Sequence, residues 1–163
     1  MTTRAVIDTN VLVPSGTRRM LQEAAAVGVV VAIWSPWIVA ELNRVLTWQW
    51  IERSGGNTSP ANWRACSAAA STMLDFLLAS FEAVDPRPPY PDAWPELADP
   101  GDRRVWAAAV LGEASFVVSD NRRHFPPRDG DGRFRWAEIE YVTADEFGRR
   151  LAAGEFREVD SER

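Results

Sequence analysis

Five carboxylates in this sequence stand where strands are predicted to end or on helices that flank them: Asp8, Glu41, Asp99, Asp102 and Asp120. Asp8 follows the apolar run 5–7, and Asp120 follows the run 116–118 after one intervening serine. Short apolar runs of this kind are typical of buried strands. In a parallel α/β sheet the carboxyl ends of strands and the amino ends of helices face the same edge. We therefore expect these acids to converge at that edge.

Converging carboxylates repel one another, and the repulsion raises some of their pKa values unless a cation neutralises them. His124 is the only histidine and Cys66 the only cysteine, so oxygen atoms must supply the ligands. Such a donor set selects hard ions, Mg²⁺ or Mn²⁺. An ion held there would polarise a phosphodiester, activate water and stabilise the leaving oxygen. The acids thus indicate a metal centre for phosphodiester hydrolysis.

The helix that carries Asp102 is predicted to begin with Asp99 as its N-cap and Pro100 at its first position, and to stop at Gly112. Both acids would then lie at the positive end of the helix dipole. An N-cap role explains Asp99 as well as metal ligation does, and both interpretations stay open.

A second helix is predicted over 36–53 with Ser35 as its cap and a core stripe centred on Leu42. Glu41 flanks this stripe and shares a line along the helix with Trp37, Arg44 and Trp48. Two interpretations of Glu41 follow. It either borders a cleft, or it is a surface acid paired with Arg44 at i+3.

The remaining pattern alternates strands and helices, which is typical of an α/β fold. Strands are predicted over 5–7, 29–34, 83–84, 116–118 and 140–142, and further helices over 15–27 and 60–81, with a last helix that starts at 143 and ends before Gly154. The helices over 36–53 and 60–81 follow each other directly and form an inserted α-hairpin, with Trp63 predicted to face inward. A proline-rich connector covers 85–99, and an arginine- and glycine-rich loop covers 122–135.

Composition sets limits on this fold and its partners. With 163 residues, of which 46% are hydrophobic, we expect one domain over 1–154 and a charged tail over 155–163. No apolar run is long enough for a membrane span and no signal-peptide pattern is found, so we expect a cytoplasmic protein. The net charge of -5 argues against nucleic-acid binding by bulk charge, so any such binding must be local.

Taken in order, these motifs resemble the PIN domain, the nuclease fold of VapC-type toxins and related ribonucleases. The matching pieces are 5–12, 35–42, 99–126 and 143–147, and together they span nearly the whole chain. The resemblance implies a Rossmann-like three-layer α/β/α sandwich with a parallel sheet of four or five strands. It also implies Mg²⁺- or Mn²⁺-dependent cleavage of RNA, with metal-ligand roles for Asp8, Glu41 and Asp102.

The fourth acid of the family pattern is displaced in this chain. With Ser119 on the family's hydroxyl position, Asn121 rather than Asp120 falls on the acid position. Either Asp120 acts as a ligand and catalytic acid from one residue earlier, or Asn121 is a neutral ligand and a second metal binds weakly. Asp99 also matches the family, and His124 matches as a loop or packing residue.

Substrate contacts are expected from polar residues beside these motifs: Asn10, Arg18, Arg103, Ser119 and Arg122. The three arginines are candidate phosphate contacts. A toxin of a type II toxin–antitoxin pair would also bind an antitoxin protein, and Trp48, which lies off the core stripe, is predicted to face such a partner or a second copy of the chain.

Two other enzyme classes fail on single residues. A haloacid-dehalogenase-type phosphotransferase would need an acid two residues after Asp8, where Asn10 stands, and a response-regulator receiver would need a lysine, which the chain lacks. The alternative that remains is a PIN-like module that binds RNA or a protein without cutting.

Overall fold

Short apolar runs form the strands of one sheet in the computed structural model, which describes residues 2–88, 97 and 101–156. The strands are β1 (Thr3–Ile7), β2 (Val30–Trp34), β3 (Glu82–Ala83), β4 (Phe116–Val118), β5 (Arg135–Trp136) and β6 (Ile139–Val142). Their spatial order is β3-β2-β1-β4-β6-β5. All neighbours pair in parallel except β5, which is antiparallel to β6.

Helices flank this sheet: α1 (Thr9–Leu12), α2 (Ser15–Ala26), α3 (Pro36–Arg53), α4 (Pro60–Leu78), α5 (Asp102–Leu111) and α6 (Ala144–Ala152). The predicted three-layer α/β/α fold is confirmed. The five parallel strands match the expected count, and the antiparallel β5 adds an edge strand that begins at the last residue of the segment predicted as a loop.

Side-chain caps set the starts of α3, α4 and α6. Ser35 accepts a hydrogen bond from the Ile38 N–H and Thr143 accepts one from the Glu146 N–H, as the sequence predicted, and Ser59 caps α4 in the same way. The starts of α3 and α6 are thereby fixed close to the carboxyl ends of β2 and β6.

The core is centred on β1, where Ala5, Val6 and Ile7 are fully buried. α5 packs against this strand and its neighbours, and its end comes very close to the sheet. A Cβ at Gly112 would lie 2.8 Å from the Ile33 Cδ1 atom and from the Ala108 carbonyl oxygen. Only glycine fits there, so the sequence stop signal of α5 is also a packing requirement.

Two local predictions need correction or fall outside the described residues. Trp63 was predicted to face inward, but it is 38% exposed and packs edge-on against Trp48, with ring centroids 5.3 Å apart. The core positions of α4 are taken by smaller residues such as Ala70 and Leu74, which leave the indole at the helix surface. The predicted cap Asp99 and Pro100 lie outside the described residues. No helix within the described part of the chain is long and apolar enough to cross a membrane.

Candidate active site

Asp8 stands at the carboxyl end of β1 and its carboxylate is held by three hydrogen bonds. Its Oδ1 atom accepts the Thr9 N–H at 2.7 Å, which caps α1. Its Oδ2 atom accepts the Ser119 hydroxyl at 2.7 Å and the Asn10 side-chain amide at 2.7 Å. The short helix α1 was not predicted, and this cap explains why the chain turns helical directly after the strand.

Ser119 connects the end of β4 to this carboxylate. Its buried hydroxyl also accepts hydrogen bonds from the Asn10 side chain at 3.1 Å and from the Asn121 N–H at 3.2 Å. Asn10 also contacts the loop after β4, because its Oδ1 atom accepts a hydrogen bond from the Asp120 N–H at 2.9 Å. The ends of the neighbouring parallel strands β1 and β4 are thus tied together around Asp8.

The environment of Asp8 disfavours its charge. Burial raises the pKa of the Asp8 carboxyl above its ordinary value, and the nearby Glu41 charge raises it further, against the opposing effect of the hydrogen bonds. A cation beside Asp8 would relieve both effects.

Glu41 lies on the exposed side of α3 and reaches toward the same place. Its Oε2 atom accepts a hydrogen bond from the buried Thr9 hydroxyl at 3.0 Å. Thr9 directly follows Asp8, so the two carboxylates are linked through one residue. Of the two interpretations that the sequence left open, the structure places Glu41 on a cleft.

Asp102 opens α5 on the other side of that cleft. The Nδ1 atom of His124 lies 2.7 Å from its Oδ2 atom, and the Asn121 side-chain nitrogen lies 3.1 Å from the same Nδ1. His124 belongs to a short 3-10 helix, Arg122–His124, that follows β4. It therefore does more than pack in a loop, because its Nδ1 atom lies beside both the third carboxylate and the Asn121 amide.

The cleft between α3, α5 and the sheet edge has a volume of about 910 Å³. Asp8, Glu41 and Asp102 all line it. Its polar and charged lining also includes Thr9, Asn10, Arg44, Arg104, Asn121 and His124, with Trp37 on the wall of α3. Three acids that are distant in sequence thus share one cavity that also carries positive charge.

Asp120 and Asn121 occupy different places. The Asp120 carboxylate accepts the Ala144 N–H at 2.9 Å, at the start of α6, and Asp120 does not line the cleft. Asn121 does line it. Asp99, the remaining acid of the predicted set, lies outside the described residues.

The predicted substrate contacts are dispersed. Asn10 lines the cleft, and Ser119 contacts Asp8 beneath it. Arg18 donates to the carbonyl oxygens of Leu12 and Val13 at 2.9 and 3.1 Å, at the end of α1. Arg122 lines a separate cavity of about 140 Å³, and the exposed Arg103 does not line the cleft.

The sequence analysis missed Arg104, which lines the cleft in place of its neighbour Arg103. Helical spacing could have identified Arg104. Gly101, Arg104 and Val105 lie at i, i+3 and i+4, so they share the face of α5 that lines the cleft. Because Arg103 and Arg104 are adjacent, this spacing distinguishes them only when the start of the helix is known.

The donor set fits a hard divalent ion. Within residues 2–88, 97 and 101–156 no three acidic, histidine or cysteine side chains are assembled closely enough to hold one ion. Mg²⁺ does not need such a cluster, because it retains waters and is usually bound by one or two carboxylates together with substrate phosphates.

The negative charge of Asp8 and Asp102 also acts on the buried Tyr141 hydroxyl, whose pKa is raised mainly by burial and further by these two charges.

The family model described as the PIN domain matches residues 4–123, which include Asp8, Glu41 and Asp102. No curated protein and no solved structure matches the chain. The match covers well over half of the sequence, and PIN domains as a family are nucleases that generally depend on divalent metals. The chain belongs to the PIN-domain family.

Proposed function

We propose that this chain is a Mg²⁺- or Mn²⁺-dependent endoribonuclease whose site is formed by Asp8, Glu41, Asp102 and Asn121. One observation carries the proposal: three carboxylates from three different elements line a single cleft. In a chain of net charge -5, the repulsion among acids gathered at a sheet edge costs free energy that a bound cation offsets.

The residues contribute in different ways. Asp8 is fixed by its three hydrogen bonds, and a carboxylate has lone pairs enough to bind an ion in addition to them. Glu41 is exposed, and within the described part of the chain only its Oε2 atom accepts a hydrogen bond, so its other oxygen can bind a ligand. Asn121 would supply a neutral amide oxygen, while Asp120 accepts the Ala144 N–H at the start of α6.

A divalent ion bound by these carboxylates would supply Lewis-acid polarisation of the phosphodiester and activation of water. The chain itself would orient the RNA backbone. Arg44 lies on the cleft wall, where it can contact a phosphate next to the acids. Across the cleft from Asp8 lie the Asp102 carboxylate and the His124 imidazole, whose Nδ1 atom is 2.7 Å from the Asp102 Oδ2 atom.

The direct test is incubation of the purified chain with RNA in Mg²⁺, in Mn²⁺ and in chelator. We expect internal cleavage with either metal and none in chelator. Cleavage of equal rate in all three conditions would contradict the proposal. Absence of cleavage under every condition, together with retained RNA binding, would favour the alternative of a PIN-like binding module.

We further propose that the chain is the toxin of a type II toxin–antitoxin pair. The resemblance of its motifs to VapC-type toxins supports this role, as do the half-exposed Trp48 and Trp63 rings, which offer an antitoxin or a second copy an apolar surface. Induced expression of the wild-type chain in bacterial cells is expected to arrest growth, and Asp8→Asn is expected to abolish the arrest. Unimpaired growth with the wild-type chain, at matched expression, would argue for a housekeeping nuclease.

A further inference from the structure

A planar pair of side chains lies on the cleft wall beside the carboxylates. The guanidinium carbon of Arg104 is 3.7 Å from the centroid of the Trp37 ring, which is stacking distance. Both side chains line the cleft, and Trp37 is 46% exposed. A large aromatic ring left this accessible in a concave site is an informative exception to burial.

The pair is tied in sequence to two of the acids. Trp37 lies four residues before Glu41 on α3, about one turn along the helix, and Arg104 lies two residues after Asp102 on α5. The start of α3 is already fixed by the Ser35 cap and Pro36, so the indole is not needed to begin the helix. The stacked pair therefore sits between the elements that present two of the carboxylates.

An exposed indole stacked on a guanidinium is suited to one class of ligand. Unpaired bases stack on aromatic rings and on the guanidinium plane of arginine, and they do so with little sequence preference. We propose that Trp37 and Arg104 form a stacking platform for one unpaired base of the RNA, next to the phosphate that lies at the carboxylates. The inference rests on the proposed function, since it takes RNA as the ligand of the cleft.

This platform determines which part of an RNA enters the site. Bases within a duplex are stacked on one another and cannot reach the ring, so the chain selects single-stranded segments and loops. Stacking is also insensitive to salt compared with phosphate contacts, which suits a protein of net negative charge.

The test measures binding of a short single-stranded oligoribonucleotide to the full chain in chelator, so that cleavage does not interfere. Trp37→Ala is expected to weaken binding about tenfold or more, and Trp37→Phe to retain most of the affinity. Arg104→Lys is expected to weaken binding as well, because lysine keeps the charge but not the plane. Trp136→Ala is the matched control: Trp136 is 39% exposed, but it does not line the cleft.

A second measurement locates the base. An abasic nucleotide is placed at each position of the oligoribonucleotide in turn, and we expect one position at which the wild-type chain loses affinity while Trp37→Ala does not. Wild-type affinity of Trp37→Ala, with identical abasic profiles for the two proteins, would overturn the platform. Full affinity of Arg104→Lys beside a weakened Arg104→Ala would also overturn it, since Arg104 would then act as a point charge on a phosphate.

The two proposals fail separately in these experiments. Metal-dependent cleavage by the wild-type chain with no effect of Trp37 on binding would leave the nuclease and remove the platform. Trp37-dependent binding without cleavage in any metal would leave the platform on a module that binds RNA and does not cut it.

Discussion

Asp8→Asn is expected to lower the rate of RNA cleavage by more than about a hundredfold, because changes even in residues that only support metal ligands cost about 10- to 100-fold. The substitution removes the charge at the centre of the site while it keeps nearly the same shape. The rate is measured at saturating metal on one RNA. Cleavage within a few-fold of wild type would contradict the assignment of Asp8 as a ligand.

Asp120→Asn is the matched control for this experiment. Its carboxylate contacts the Ala144 N–H outside the cleft, so the same chemical change there should leave cleavage within about threefold of wild type. An effect at Asp120 as large as that at Asp8 would mean that Asp120, not Asn121, supplies the fourth ligand.

Asp8→Asn changes the stability of the chain through two opposing effects, which a folding control separates from the effect on cleavage. Because burial raises the pKa of this carboxyl in the folded chain, its contribution to stability is fully present below the ordinary aspartate pKa and is lost as the pH rises through the folded value. At neutral pH the charged Asp8 therefore opposes folding of the metal-free chain, and Asn at this position removes that cost. Asn also has one acceptor oxygen instead of two, so it gives up the hydrogen bond from Thr9 or those from Ser119 and Asn10. Thermal melting of the variant beside wild type checks that it is folded.

Arg150→Ala is expected to lower the free energy of unfolding by about 3 kcal/mol, which corresponds to a fall in Tm of about 6 to 12 °C. Glu140 on β6 is only 7% exposed, and Arg150 donates to both of its oxygens at 3.1 and 2.8 Å. Its hydrogen bond to Glu140 is the main reason that the pKa of Arg150 is raised. Removal of the arginine leaves a buried carboxylate whose remaining cationic partner among the described residues is the more exposed Arg133, at 3.3 Å.

Two further variants identify the cause of this effect. Arg149→Ala removes the exposed neighbour, which pairs with Asp145 at 3.1 Å, and should change stability by less than about 0.5 kcal/mol. Glu140→Gln in the Arg150→Ala background should recover part of the lost stability, because the buried charge disappears with it. A loss for Arg150→Ala no greater than that for Arg149→Ala would show that the buried pair is not a stabilising contact.

The sequence predicted the architecture because its signals were local. Apolar runs, such as 5–7 and 116–118, end in polar residues, and cap residues such as Ser35 and Thr143 mark the helix starts. Parallel pairing then follows from the alternation of strands and helices. From these features alone, Asp8 can be placed at the carboxyl end of β1, without knowledge of any long-range contact.

The details of the site depend on contacts that the sequence does not show. Asp120 and Asn121 are adjacent, and only the position of α6 determines that Asp120 bonds to the Ala144 N–H while Asn121 lines the cleft. The contact between His124 and Asp102 joins residues on separate elements. Such details follow from how α5, α6 and the loop after β4 pack, and no local pattern encodes that packing.

The most direct test of the central claim is a metal-activation curve, in which RNA cleavage is measured as Mn²⁺ is added to the wild-type chain and to three variants. If the carboxylates hold the ion, Glu41→Gln and Asp102→Asn will need a higher Mn²⁺ concentration for half-maximal cleavage, and Asp8→Asn will show little cleavage at any concentration. Cleavage that persists in chelator, or activation curves that are the same in all four proteins, would contradict the account.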